Sequence, residues 1–112
     1  MTDDAVVVDV AFEGGLLYLE LVNLGNRAAL DVACSFKPRL VDAQGRDVAE
    51  LRLFRRLGFL APGRRIRTLL GPSSEYADSV TVTVEYSDAA GERHASRITH
   101  DLGAFRELAY IV

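Results

Sequence analysis

The chain is short of the residues that carry most small-protein chemistry. It has one cysteine, Cys34, so no internal disulfide can form. A lone thiol fits a reducing cytosol and also fits a cell-surface domain from an organism that makes few disulfides, so it leaves the compartment open. There is no tryptophan, and the only histidines are His94 and His100. Lysine occurs once, at Lys37, and arginine supplies the rest of the thirteen basic residues. That bias, with abundant Ala, Gly, Asp and Val, points to a GC-rich genome and carries no chemistry of its own. Long apolar runs are missing as well. No stretch approaches the length needed to span a bilayer, and no signal-peptide pattern opens the chain. Gly-x-Gly-x-x-Gly, Walker and Gly-x-Ser-x-Gly patterns are absent, as are Cys-x-x-Cys and His-x-x-x-His pairs. These absences remove the usual dinucleotide, nucleotide, hydrolase and zinc signatures.

What is present suffices for a folded domain. With 112 residues, 49% of them hydrophobic, residues 1–112 read as one domain with one core that needs neither metal nor disulfide. A net charge of −3 supplies no field to recruit nucleic acid or anionic lipid. Met1, Thr2, Asp3 and Asp4 are acidic and polar, and read equally as a natural start or as a Met placed before a domain cut from a longer protein.

Residues 79–86 organise the rest. Val80, Val82, Val84 and Tyr86 alternate with Thr81, Thr83 and Glu85, a period of two in β-branched and aromatic residues that predicts a half-buried strand. Residues 5–12 alternate through Val6, Val8, Val10 and Phe12; after Gly14 and Gly15, residues 16–23 alternate through Leu17, Leu19 and Leu21. Residues 29–37 place Leu30, Val32, Cys34 and Phe36 on one side, and Pro38 ends the pairing. Residues 48–60 break the pattern and read as a short strand around Leu51 and Leu53, followed by an irregular apolar crossing. Residues 64–70 and 93–102 are further strands, with Ile66, Thr68 and Leu70 facing opposite to Arg65, Arg67 and Leu69. The tail, residues 103–112, changes to helical spacing and reads as a short helix or one more strand. About seven short strands separated by turns predict an all-β, antiparallel two-sheet sandwich.

Three segments carry a resemblance. Asn23-Leu24-Gly25 leads into a hydrophobic strand, Pro62-Gly63 precedes a mid-chain strand, and Val84-x-Tyr86-x-Asp88-x-x-Gly91 forms a late hairpin. Together they resemble the bacterial immunoglobulin-like domains, without the cysteine pair and core tryptophan of the antibody type. The resemblance implies an immunoglobulin-like β-sandwich, no catalytic residues, and a non-catalytic interaction or spacer module, often an appendage of a larger surface or membrane-associated protein.

The residues themselves offer little catalysis. Cys34 lies on the apolar parity of its strand, where burial raises a thiol pKa and works against a nucleophile paired with His94 or His100. His94, His100 and Asp101 might suggest a metal site, but the two histidines lie too far apart along one strand to share an ion, so no metal or other cofactor is expected. Asp88 and Glu92 flank a turn, and no carboxylate pair has the look of an acid–base site. Two features stand out. Arg52, Arg55, Arg56, Arg64, Arg65 and Arg67 fall in a stretch, residues 51–70, with no acidic residue. If the segments on either side of the Pro62-Gly63 turn pair, Arg55, Arg56, Arg64 and Arg65 form one anion-binding patch for phosphate, acidic lipid or an acidic protein surface. The lack of exposed aromatics among them argues against nucleic acid. In the tail, Phe105, Leu108, Tyr110, Ile111 and Val112 are too apolar to be left in water, so the tail is read as an interface candidate that either folds back over its own sandwich or packs against another chain, with self-association favoured.

Overall fold

The structure of the chain, a computed structural model, describes residues 5–108. Strands β1 (Val6–Glu13), β2 (Leu16–Asn23) and β5 (Arg65–Pro72) form one antiparallel sheet in the order β1-β2-β5. Strands β4 (Leu57–Leu60), β3 (Ala29–Lys37), β6 (Ser79–Ser87) and β7 (Arg93–Asp101) form the other, in the order β4-β3-β6-β7. Two short helices, α1 (Arg52–Arg55) and α2 (Gly103–Leu108), complete the regular elements with 3-10 turns at Val48–Glu50 and Ser73–Glu75. This is the expected all-β antiparallel sandwich of seven strands, with a short C-terminal helix. Its fourth strand pairs with the third, instead of joining the sheet of the first, second and fifth as in constant-type domains.

Alternation places the core as the strands predict. Val80, Val82, Val84 and Tyr86 of β6 face Val6, Val8 and the fully buried Leu17, Leu19 and Leu21 across the sandwich. Each such leucine contributes about 2 kcal/mol by leaving water. A strand slip of one residue would turn this whole set outward, so the register is strongly held.

Three local expectations change. Leu30 faces out, not in. Asp31 takes a left-handed φ of 50° and β3 carries one extra residue between Leu30 and Ala33 against β6, so this bulge inverts the parity and Ala29 is buried instead. Residues 48–55 hold no strand. Asp47 caps the first 3-10 turn through the Ala49 amide at 3.1 Å, and α1 then drives Phe54 into the core, edge-on to Phe36 at 5.2 Å. The fourth strand is the later apolar stretch, Leu57–Leu60. The tail is helical as far as Leu108; Ala109, Tyr110, Ile111 and Val112 lie outside the described residues.

Candidate interaction surface

The buried ionisable groups all serve the fold. Glu20 points to the outer face of the β1-β2-β5 sheet yet is only 3% exposed, because Arg65 and Arg67 of β5 lie over it. Arg67 donates to Glu20 at 2.8 Å and to Glu13 at 2.7 Å, with its guanidinium 4.9 Å from the centre of the Tyr18 ring. Burial pushes the Glu20 pKa up, and the hydrogen bonds from Arg67 and Arg65 more than offset it, leaving the carboxyl below its usual range. Asp42 is likewise buried, and accepts from the Gln44 and Arg46 amides at 2.9 Å to close its loop. Burial alone pushes the Cys34 thiol up to about 12, so it is no nucleophile at neutral pH.

The arginines divide. β4 and β5 enter different sheets, so the segments on either side of Pro62 and Gly63 do not pair. Arg65 is drawn onto Glu20, while Arg64 lies exposed at the end of the turn. Arg52, Arg55 and Arg56 together line one shallow concavity at α1. Arg56 donates to Asp31 at 3.0 Å, a pair exposed on both sides and worth little in water. Among the described residues, Arg52, Arg55 and Arg64 make no ion pair. Of the four arginines expected to share a patch, the structure therefore keeps Arg55 and Arg56 together, adds Arg52, and assigns Arg65 to a structural pair.

The two sides of the sandwich differ in how their edges end. Asn23 bonds through both backbone groups to Gly63 and Arg64, on the β5 side of β2. By alternation, its β1 partner Val6, and Val8 two residues on, turn their backbone groups away from β2. Those carbonyls do not reach solvent. Ser96 Oγ of β7 donates to Val6 O, and His100 Nε2 donates to Val8 O at 2.7 Å. Both donors sit on the inward parity of β7, and polar residues there were the signal, missed in sequence, that a backbone edge lay opposite. The far side is open. Among the described residues β4 has β3 as its one ladder partner, and its outward Phe59 is 59% exposed beside Leu30, its cross-strand neighbour. A methyl group built on Gly58 would meet nothing within 4 Å, so the strand surface is unobstructed there. No periodicity in the 48–60 region marked Phe59 as a surface residue.

The turn residues meet at one end. Asn23 Nδ2 donates to Arg27 O at 2.8 Å and Leu60 O at 3.1 Å, and its Oδ1 accepts from the Gly25 amide at 2.9 Å. One cavity there is lined by Asn23, Gly25, Tyr86, Asp88 and His94 among others. His94 lies with Asp88 and Glu92, their ligand atoms within 4.8 Å of one another, and not with His100. This trio has the donors for a cation, but Asp88 Oδ1 already accepts from the Ala90 and Glu92 amides and Oδ2 from His94 at 2.9 Å. That network is the hairpin turn itself. At the other end, Phe105 stacks on Phe12 at 6.1 Å and packs on the core, while Leu108 is 42% exposed. Phe105 is thus covered by its own chain; Tyr110, Ile111 and Val112 lie outside the described residues.

No curated protein and no solved structure matches this chain. One protein family does match, over residues 4–106, and it is described as a domain of unknown function. With nearly the whole length covered, the chain belongs to that family, DUF8453.

Proposed function

We propose that this domain is a non-catalytic protein-interaction module that presents its β4 side to a partner. One observation carries the reading: the β1 edge is closed by Ser96 and His100, whereas the β4 edge is short, unpaired on its outer side among the described residues, and flanked by the exposed Phe59. An open strand edge beside an exposed aromatic is a ready template for another chain. The bulge that turns Leu30 outward enlarges the same apolar spot. The resemblance to immunoglobulin-like appendage domains supports the same reading. A photo-crosslinking residue placed at position 59, compared with one at position 83 on the outer face of β6, tests it in the cells the protein comes from. Protein adducts from position 59 and none from position 83 are expected. Equal adducts at both, or none at 59, overturn it.

A second reading has its own observation. Arg52, Arg55 and Arg56 converge on one concavity, which suits a small anion such as phosphate. Titration with inorganic phosphate, followed by amide shifts, checks it: saturable shifts at residues 52–56 that vanish in Arg55→Ala support an anion site, and their absence removes it.

A further inference from the structure

We infer that the segment docking on β4 is an extended, acidic stretch of a partner protein, added as a fifth strand to the β4-β3-β6-β7 sheet. This rests on the reading of the domain as an interaction module and identifies what its open edge takes.

Three properties of the edge define the occupant. Alternate residues of β4 leave their N–H and C=O groups on the free side, so the occupant brings matching backbone groups in extended form. Phe59 and Leu30 stand side by side on the outer face and call for at least one apolar side chain on that face of the added strand. The charge is of one sign at both ends of the strand. Arg52, Arg55 and Arg56 precede it, Arg64 follows it, and Asp31 is half occupied by an exposed pair with Arg56.

The same charges disfavour a second copy of this chain as the occupant. Antiparallel pairing of β4 with itself about Gly58 and Phe59 brings the Arg56 end of one copy to the Ala61 end of the other, with Arg55 and Arg64 near each end. The arginines of both copies then gather at each end of the pair and repel, and Asp31 relieves only Arg56. An acidic partner segment meets the same arginines with opposite sign, which speeds encounter and fixes register.

The test uses the full chain and two synthetic peptides of about ten residues, long enough at about 3.3 Å per residue to span β4 and its flanking arginines. One alternates glutamate with valine, and the other alternates lysine with valine. The acidic peptide is expected to bind at least about tenfold more tightly, with binding weakened by salt and lost in both Phe59→Ser and Arg55→Glu. Both substituted side chains are exposed, and unchanged melting temperatures confirm that the variants fold. Failure of the acidic peptide to bind overturns the inference. So does binding that survives Phe59→Ser, which reduces it to general charge attraction, or an oligonucleotide that binds equally well without regard to Phe59. Equal binding of both peptides, or a dimer abolished by Phe59→Ser, overturns the acidic partner while leaving the interaction module standing. Adducts absent from position 59 in the crosslinking experiment sink the module itself.

Discussion

His100 Nε2 donates to the carbonyl oxygen of Val8 at 2.7 Å, joining the last strand of one sheet to the first strand of the other. A carbonyl can only accept, so the proton is on Nε2 of this histidine. With Ser96 bound to Val6 O two turns of the pleat away, β7 closes the edge of β1 by side chains instead of a ladder. Ser96→Ala and His100→Phe are each expected to cost about 1–2 kcal/mol, the price of leaving a buried carbonyl without its donor. Urea unfolding measures the loss, and amide exchange localises it. Protection should fall first in β1, and an unchanged β1 would refute the closure.

Val82→Asp is expected to prevent folding, whereas Thr83→Asp is mild. The two are neighbours in β6, but Val82 is 2% exposed and Thr83 lies on the outer face. Burying an unpaired carboxylate costs several kcal/mol, comparable with the whole stability of a small domain. Equal melting temperatures would reverse the assignment of faces.

Glu20 makes stability depend on acid. Its folded pKa lies below the model-peptide value of 4.5, so its contribution is present above that value and is lost as pH falls through the folded pKa. Glu20→Gln should flatten the stability curve below about pH 5. Replacing Arg65 and Arg67 together by Ala removes the hydrogen bonds that lower this pKa and also uncovers the carboxyl to water, so the double variant is expected to lose the same acid dependence as Glu20→Gln. Melting curves between pH 3 and pH 7 on the three proteins, about one unit apart, check both variants.

Gly103 admits no side chain. A methyl group there would lie 2.7 Å from the Ala77 carbonyl oxygen, which is backbone and cannot swing aside. Gly103→Ala should lift α2 from the 3-10 turn at Ser73–Glu75 and lower the melting temperature by several degrees, with a loss of about 1–2 kcal/mol. Loosening of the Phe105–Phe12 contact would show in ring chemical shifts, and unmoved shifts would contradict the close approach.

Cys34 should resist thiol reagents until the protein unfolds. Its pKa of about 12 leaves almost no thiolate at neutral pH, and the side chain is buried between strands. A rate of modification in native buffer close to that in denaturant would place the thiol at the surface.

The strands where one face meets the core and the other meets water were legible from residue order. Val80 to Tyr86 and Leu17 to Leu21 needed only alternation, because a period of two maps directly onto two faces. The same rule misplaced Leu30, since the bulge at Asp31 changes parity through one left-handed backbone angle that aspartate tolerates without announcing it. Residues 48–60 were illegible for another reason: Phe54 is placed by its edge-on contact with Phe36 of β3, and not by any local period.

Charge shows the same division. Residue order alone determined that six arginines fall in an acid-free stretch, that Cys34 is a core residue, and that the chain folds as an all-β sandwich. Only the tertiary structure decided which arginines are available. The turn at Pro62 and Gly63 carries the chain from one sheet to the other, so Arg65 and Arg67 lie over Glu20 while Arg52, Arg55 and Arg56 share an exposed concavity on α1, just before β4. Sequence neighbours share a strand face when the backbone stays in one sheet. When it crosses between sheets, their surroundings are set by residues such as Glu20 and Asp31, whose approach no local pattern encodes.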